Sequence, residues 1–299
     1  MTGPVIHTYR AAESGLYVNS YLVEAESGVV VVDTSLLVSD IEALRARLRA
    51  LNKPLLAILV THPHPDHFNG VFGLVQDKEV PVYAASSVAR VIEEIAEAKR
   101  EQWLPTYGAE WPAKSYYPNS PLADAAEVRF GELTFTVREL GPGESHADSY
   151  FMLAADGQAP VAFTGDQVFN GMHPYTADGH SARWLAALDV LDGELADVGT
   201  LYPGHAVTAG PGRLRHRGLT TGQTPDKFAV IQQVATLLGE HARPSRDPVT
   251  GVKHADVGKF AVQHIQCRKP AGGVAIGGVR VHAVESQVAG EGNRPSLVS

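Results

Sequence analysis

The chain alternates short apolar runs with stretches of helical period, punctuated by glycine, proline and small polar residues. Residues 16–23 and 28–32 predict two strands of a hairpin turning at Glu26-Ser27. Residues 40–51 repeat Ile41, Leu44, Leu48 and Leu51 at helical spacing with arginines opposite, the pattern of an amphipathic helix. Residues 55–60 are continuously apolar after Lys53-Pro54, as in a strand buried on both faces. The run 68–75 starts a helix weakened by Gly70 and Gly73. A short strand over 80–84 precedes a helix capped by Ser86 or Ser87 and running to Lys99, with Val88, Val91, Ile92 and Ile95 as its stripe. Residues 128–140 form a hairpin about Gly131-Glu132, and strands over 150–154 and 161–164 flank Asp156-Gly157. Ser181 caps a helix to about Leu191, and Thr224-Pro225 begins another to about Leu238. Helices and strands alternate in both halves, as an α/β sandwich requires.

Composition narrows the class. At 299 residues, 44% hydrophobic and 19% charged, the chain can bury a full core. We expect one large domain over 1–243 and a weakly patterned, glycine-containing appendage over 244–299. A formal net charge of −8 argues against nucleic-acid binding, because phosphate contacts need clustered cations. The one short basic patch, Arg213 to Arg217, reads as a solvated loop. No apolar run is long enough to span a membrane. The amino terminus lacks a basic segment followed by an apolar one, so no signal peptide is expected. Cys267 is the single cysteine, which excludes an intrachain disulfide and fits a cytoplasmic enzyme.

The chemistry concentrates in Thr61-His62-Pro63-His64-Pro65-Asp66-His67, which packs three imidazoles and a carboxylate into six positions. These are zinc-type ligands. His62 and His64, two apart in an extended segment, leave the same face. Pro63 and Pro65 stiffen what reads as an extended loop, with Asp66 and His67 turned toward a second point. A strand, this loop and a helix in succession put the ligands at the carboxyl end of a sheet.

The motif resembles the HxHxDH signature of metallo-β-lactamase-fold hydrolases. Val29 to Thr34 resembles that family's early strand ending in Asp, here Asp33. Gly141-Pro142-Gly143-Glu144-Ser145-His146 resembles the turn carrying its third histidine, Phe163-Thr164-Gly165-Asp166 the strand ending in a bridging aspartate, and Tyr202-Pro203-Gly204-His205 the strand end with the last histidine. The resemblance covers about the first 220 to 240 residues. It implies a four-layer αββα sandwich. It also implies two Zn2+, with Fe or Mn as substitutes. His62, His64 and His146 hold one ion, Asp66, His67 and His205 the other, and Asp166 bridges them. A hydroxide shared by the two metals then attacks the carbonyl of an ester, lactone or thioester of a small-molecule substrate, with Asp66 steering the proton. A mononuclear-iron sulfur dioxygenase, a β-lactamase and a phosphodiesterase are the alternatives on this fold. Asp33 is either a strand-end turn former or a hydrogen-bond acceptor for a ligand imidazole, and Thr61 orients the loop. Tyr175 or His173, just beyond Asp166, supplies either an oxyanion donor or packing. The aromatic stretch 101–123 is either a lid or an anchor for a long connection.

Overall fold

A computed structural model describes residues 3–76, 79–154, 158–169 and 174–205. The expected helix over 224–238, the domain boundary at 243, the appendage, the turn at Asp156-Gly157 and His173 lie outside the described residues.

Strands β1 (Val5–Arg10), β2 (Asn19–Glu24) and β3 (Val29–Val32) form an antiparallel meander. Helix α1 (Val38–Ala50) crosses over to β4 (Leu55–Val60), which lies parallel to β3. One-turn helices α2 (Pro65–Phe68) and α3 (Val71–Val75) lead to β5 (Val82–Ala85), helix α4 (Ser86–Tyr107) and β6 (Ser120–Leu122), and β4, β5 and β6 run parallel. These six strands make one sheet, in sequence order. The second sheet has the order β11-β10-β9-β8-β7, built from β7 (Glu127–Phe130), β8 (Leu133–Gly141), β9 (Asp148–Ala154), β10 (Val161–Gly165) and, after helix α5 (Ser181–Glu194), β11 (Thr200–Pro203). Its strands pair antiparallel except β10 and β11, which are parallel.

The period of two assigns each face of the second sheet. Phe151, Leu153 and Phe163 pack into a core shared with Tyr21, Leu22 and Val30 of the first sheet. Tyr150, Ala162 and Leu201 face the other way, onto Trp184, Leu188 and Leu191 of α5. Leu44 and Leu48 of α1, with Val88, Val91 and Ile92 of α4, join the core from the first sheet's outer side. The layers are therefore α, β, β and α, the expected architecture. Among the described residues no helix is long and apolar enough to cross a membrane.

One strand is added and three local expectations are corrected. Strand β1 has no counterpart in the sequence reading, because an edge strand with the burial pattern of Val5–Arg10 shows no clean alternation. The loop expected through His67 ends at His64. Pro65 opens a helical turn, its fixed φ and missing N–H suiting the first helical position. Ser86 lies inside α4 and donates its hydroxyl to the Leu122 carbonyl instead of capping the helix. Helix α4 also continues past Lys99 and through Pro105 to Tyr107, so part of the 101–123 connection is helical. Trp111 is buried against Leu36 and Leu37, with Trp103 and Tyr107 packed on the same cluster, while Tyr116 and Tyr117 pack on the main core. Those contacts anchor the connection to the body.

Candidate metal centre

The site lies where parallel strands end. Just past the carboxyl end of β3 is Asp33, past β4 are His62 and His64, past β10 is Asp166 and past β11 is His205. Two positions demand unusual backbone. Asp33 sits at φ 57°, a left-handed conformation that Asp tolerates better than most residues. Gly165 sits at φ 51°, and a Cβ there would lie 2.5 Å from Thr61 Oγ1. The Gly165 position therefore leaves no room for a side chain beside Thr61, which keeps the two sheets' ligand loops in contact.

Two groups of donor atoms converge. His62, His64, Glu144 and Asp166 form one, and Asp66, His67 and His205 the other, with the ligand atoms of each within 4.8 Å of one another. Asp166 stands between them. Its Oδ2 is 3.2 Å from His205 Nε2 and 3.9 Å from His62 Nε2, and its Oδ1 is 3.5 Å from His67 Nε2. All seven residues are buried. His62 Nε2, His67 Nε2, both Glu144 carboxylate oxygens and Asp166 Oδ1 nonetheless lack a hydrogen bond among the described residues. Unpaired buried polar atoms are costly, and these share a focus and the chemistry of metal donors. The residues fit divalent cations.

His146 is not brought to this point. Its side chain is 47% exposed, and Nδ1 lies 2.8 Å from His180 Nε2. Glu144 takes the inward position instead, with Oε2 3.0 Å from His64 Nδ1 and 3.6 Å from His62 Nε2. The turn explains the exchange. Ser145 donates its N–H and its hydroxyl to Asp148, at 3.1 and 2.8 Å, tying the turn shut. His146 then stands at the outer tip and Glu144 faces in. The signal was present in sequence as Ser145 and Asp148 three apart, a spacing suited to a side-chain-closed turn.

The surrounding groups orient the ligands. Asp33 accepts hydrogen bonds from the Thr61 N–H and hydroxyl, each 2.9 Å, and lies 2.7 Å from His67 Nδ1, leaving Nε2 to face the site. The Leu16 carbonyl is 2.8 Å from His205 Nδ1 and serves that ring in the same way. Asp178, which the sequence reading did not single out, is 3.0 Å from His64 Nε2 and so turns Nδ1 toward Glu144. It comes from the segment between β10 and α5, where no periodicity marks a role. Tyr175, from the same segment, is 47% exposed and stands edge-on to the His64 ring, with centroids 5.6 Å apart.

Electrostatics follow this crowding. Burial and the neighbouring imidazoles push His62 well below the ordinary histidine value. Burial also opposes a proton on His64, His67 and His205, but the carboxylates outweigh it. Glu144 and Asp178 raise His64, Asp166 raises His205, and Asp166 with Asp33 lifts His67 to about 9. Burial alone would raise Asp66, yet His67 and His205 hold it below the usual carboxylate range. Burial pushes the Glu144 carboxyl up. Without a cation, these carboxylates hold protons on neighbouring rings.

Comparisons with known proteins agree with this geometry. The sequence model described as the metallo-beta-lactamase superfamily matches residues 14–205. A hydroxyacylglutathione hydrolase of Alkalilimnicola ehrlichii is 29% identical over 217 residues, 73% of this chain and 70% of that protein. A hydroxyacylglutathione hydrolase of Albidiferax ferrireducens is 29% identical over 172 residues, 57% of this chain and 55% of that protein. Among solved structures, a metallo-beta-lactamase from Pontibacter korlensis superposes with a TM-score of 0.58 at 20% identity, covering 80% of this chain and 96% of that one.

Proposed function

The chain belongs to the metallo-beta-lactamase superfamily and is a metal-dependent hydrolase, and from that premise we propose that it holds two divalent cations and cleaves an ester, lactone or thioester of a small molecule. One observation carries the reading: five buried donor atoms without hydrogen bonds, shared between two groups that meet at Asp166. His62, His64, Glu144 and Asp166 would hold one cation. Asp66, His67, His205 and Asp166 would hold the other. Zinc is the default for such a set, although two imidazoles with two carboxylates also suit iron or manganese. The thioester arm draws on the activity named for the two hydroxyacylglutathione hydrolases, and the lactam-cleaving neighbours support only the fold.

Bound divalent cations supply Lewis acidity and bring the pKa of a water toward neutrality. The chain's own residues do the rest. Asp66 stays ionised at neutral pH, with Oδ2 3.1 Å from His205 Nε2, so a carboxylate is in place to accept a proton. The Tyr175 phenol is raised by burial and by Asp178, so it stays protonated and can donate to an oxygen that develops charge. Asp33, Asp178 and the Leu16 carbonyl fix ring orientation, which preserves the arrangement between turnovers.

The test is elemental analysis of purified protein, coupled to rates on a panel of lactones, thioesters, simple esters, β-lactams and phosphodiesters. Two equivalents of metal, with carbonyl-ester or thioester turnover lost on chelation, are expected. One iron per chain with oxygen uptake and no hydrolysis would overturn the reading.

A further inference from the structure

Among the described residues, the candidate metal centre is surrounded by apolar surface and little positive charge, and this bears on what the site accepts. Among the described residues four large hydrophobic side chains are exposed, and two of them belong to segments that contact histidines of the centre. Leu16 is 44% exposed, on the β1–β2 loop whose carbonyl holds His205. Tyr175, 47% exposed, stands against His64. Phe169 stacks on the His205 ring at 14°, with centroids 5.9 Å apart. The β1–β2 loop and the β10–α5 segment thus each carry an exposed apolar residue and contact a histidine of the centre. Exposed apolar residues that gather at a polar cleft mark a binding surface better than scattered ones do.

Charge points the same way. Among the described residues, the ion pairs of Asp66, Glu144, Asp166 and Asp178 are all with histidines. Lys99 acts on Asp178 only at longer range. With Asp33 beside His67, five carboxylates adjoin the ligand rings against the four charges of two divalent cations, so the described residues leave no excess positive charge for an anionic tail. Glu144 is decisive here, because a neutral imidazole in its place would leave the centre one unit more positive.

We propose that this site selects substrates whose acyl portion is neutral and apolar, an aliphatic or aryl chain lying between Leu16 and Tyr175, and that it discriminates against acyl groups ending in a carboxylate. The inference rests on the metallohydrolase reading and deepens it. Alkyl hydroxamates test it by calorimetry on the zinc-loaded protein, since the hydroxamate anchors to metal and turnover is not needed. From acetohydroxamate to octanohydroxamate the affinity should rise roughly threefold to fourfold per methylene. Succinic monohydroxamate should bind at least tenfold more weakly than butyrohydroxamate. Leu16→Asn and Tyr175→Asn should each lower the octano-to-aceto affinity ratio several-fold, and Tyr175→Phe should keep it. A flat wild-type series, or tighter binding of the anionic compound, overturns the proposal even if the variants fail to fold. An unchanged ratio in both Asn variants also overturns it. If acetohydroxamate itself does not bind, the metal-site reading fails, and the proposal fails with it.

Discussion

Glu144 and His146 are two residues apart and do opposite things. The Ser145–Asp148 hydrogen bonds close the turn so that a buried carboxylate faces His62 and His64 while the imidazole faces solvent. At this scale the candidate site was legible wherever ligands sit at strand ends. His62, His64, Asp66, His67, Asp166 and His205 converge as their positions imply, because strand direction delivers them. It was illegible at the turn, where one residue of register decides which side chain enters. The two residues therefore separate by mutation. Glu144→Ala should reduce bound metal and lower kcat/KM by about a hundredfold or more. His146→Ala should retain full metal content and stay within about threefold of wild-type kcat/KM. Elemental analysis and steady-state rates on the same preparations check both.

At the scale of elements, the parallel pairs β3/β4 and β10/β11 matter most. Parallel strands end on the same side, so each pair presents two loops to one place. The hairpins, α1 and β4 were readable from periodicity. Strand β1, the turn α2 and the extension of α4 were not, because edge pairing, a proline at a helix start and tertiary anchoring override local pattern. The end of β11 is held by Gly204, whose N–H donates to the Gly165 carbonyl at 2.8 Å. A Cβ at Gly204 would lie 1.9 Å from Asp166 Oδ1, 2.8 Å from His67 Cε1 and 3.0 Å from the Gly165 backbone. Gly204→Ala should therefore weaken metal binding at least tenfold, as measured by chelator competition. It should also cost about 1–3 kcal/mol of stability in urea unfolding.

At the scale of the molecule, the described residues pack two sheets against each other, and the candidate centre draws on both: His62, His64, Asp66 and His67 follow the first sheet, Glu144, Asp166 and His205 the second. Removing metal should loosen both. Free zinc at a thousandfold its Kd contributes about 4 kcal/mol to unfolding stability, so chelation should produce a clear fall in Tm. The pH dependence has a definite sign. His67, raised to about 9, stabilises the metal-free fold fully below its ordinary value of 6.5, and that contribution is lost as pH rises through about 9. Asp148, pushed up to about 6 by burial, keeps a proton that the unfolded chain gives up near 3.8, so its contribution falls across that window. Metal-free protein should thus lose stability from these groups as pH rises, whereas zinc binding strengthens as imidazoles deprotonate. Urea unfolding at pH 6, 7.5 and 9, with and without chelator, should show the gap widening with pH. Sequence alone determined the layered α/β class, because hydrophobic period is a local property of the chain, and the resemblance of its motifs to a known family supplied most of the candidate donor set. Tertiary structure alone decided that Glu144 rather than His146 faces His62 and His64, that Asp178 orients His64 and that the Leu16 carbonyl and the Tyr175 ring lie against histidines of the candidate site. Those facts depend on how loops distant in sequence close upon one another, and no local period encodes that.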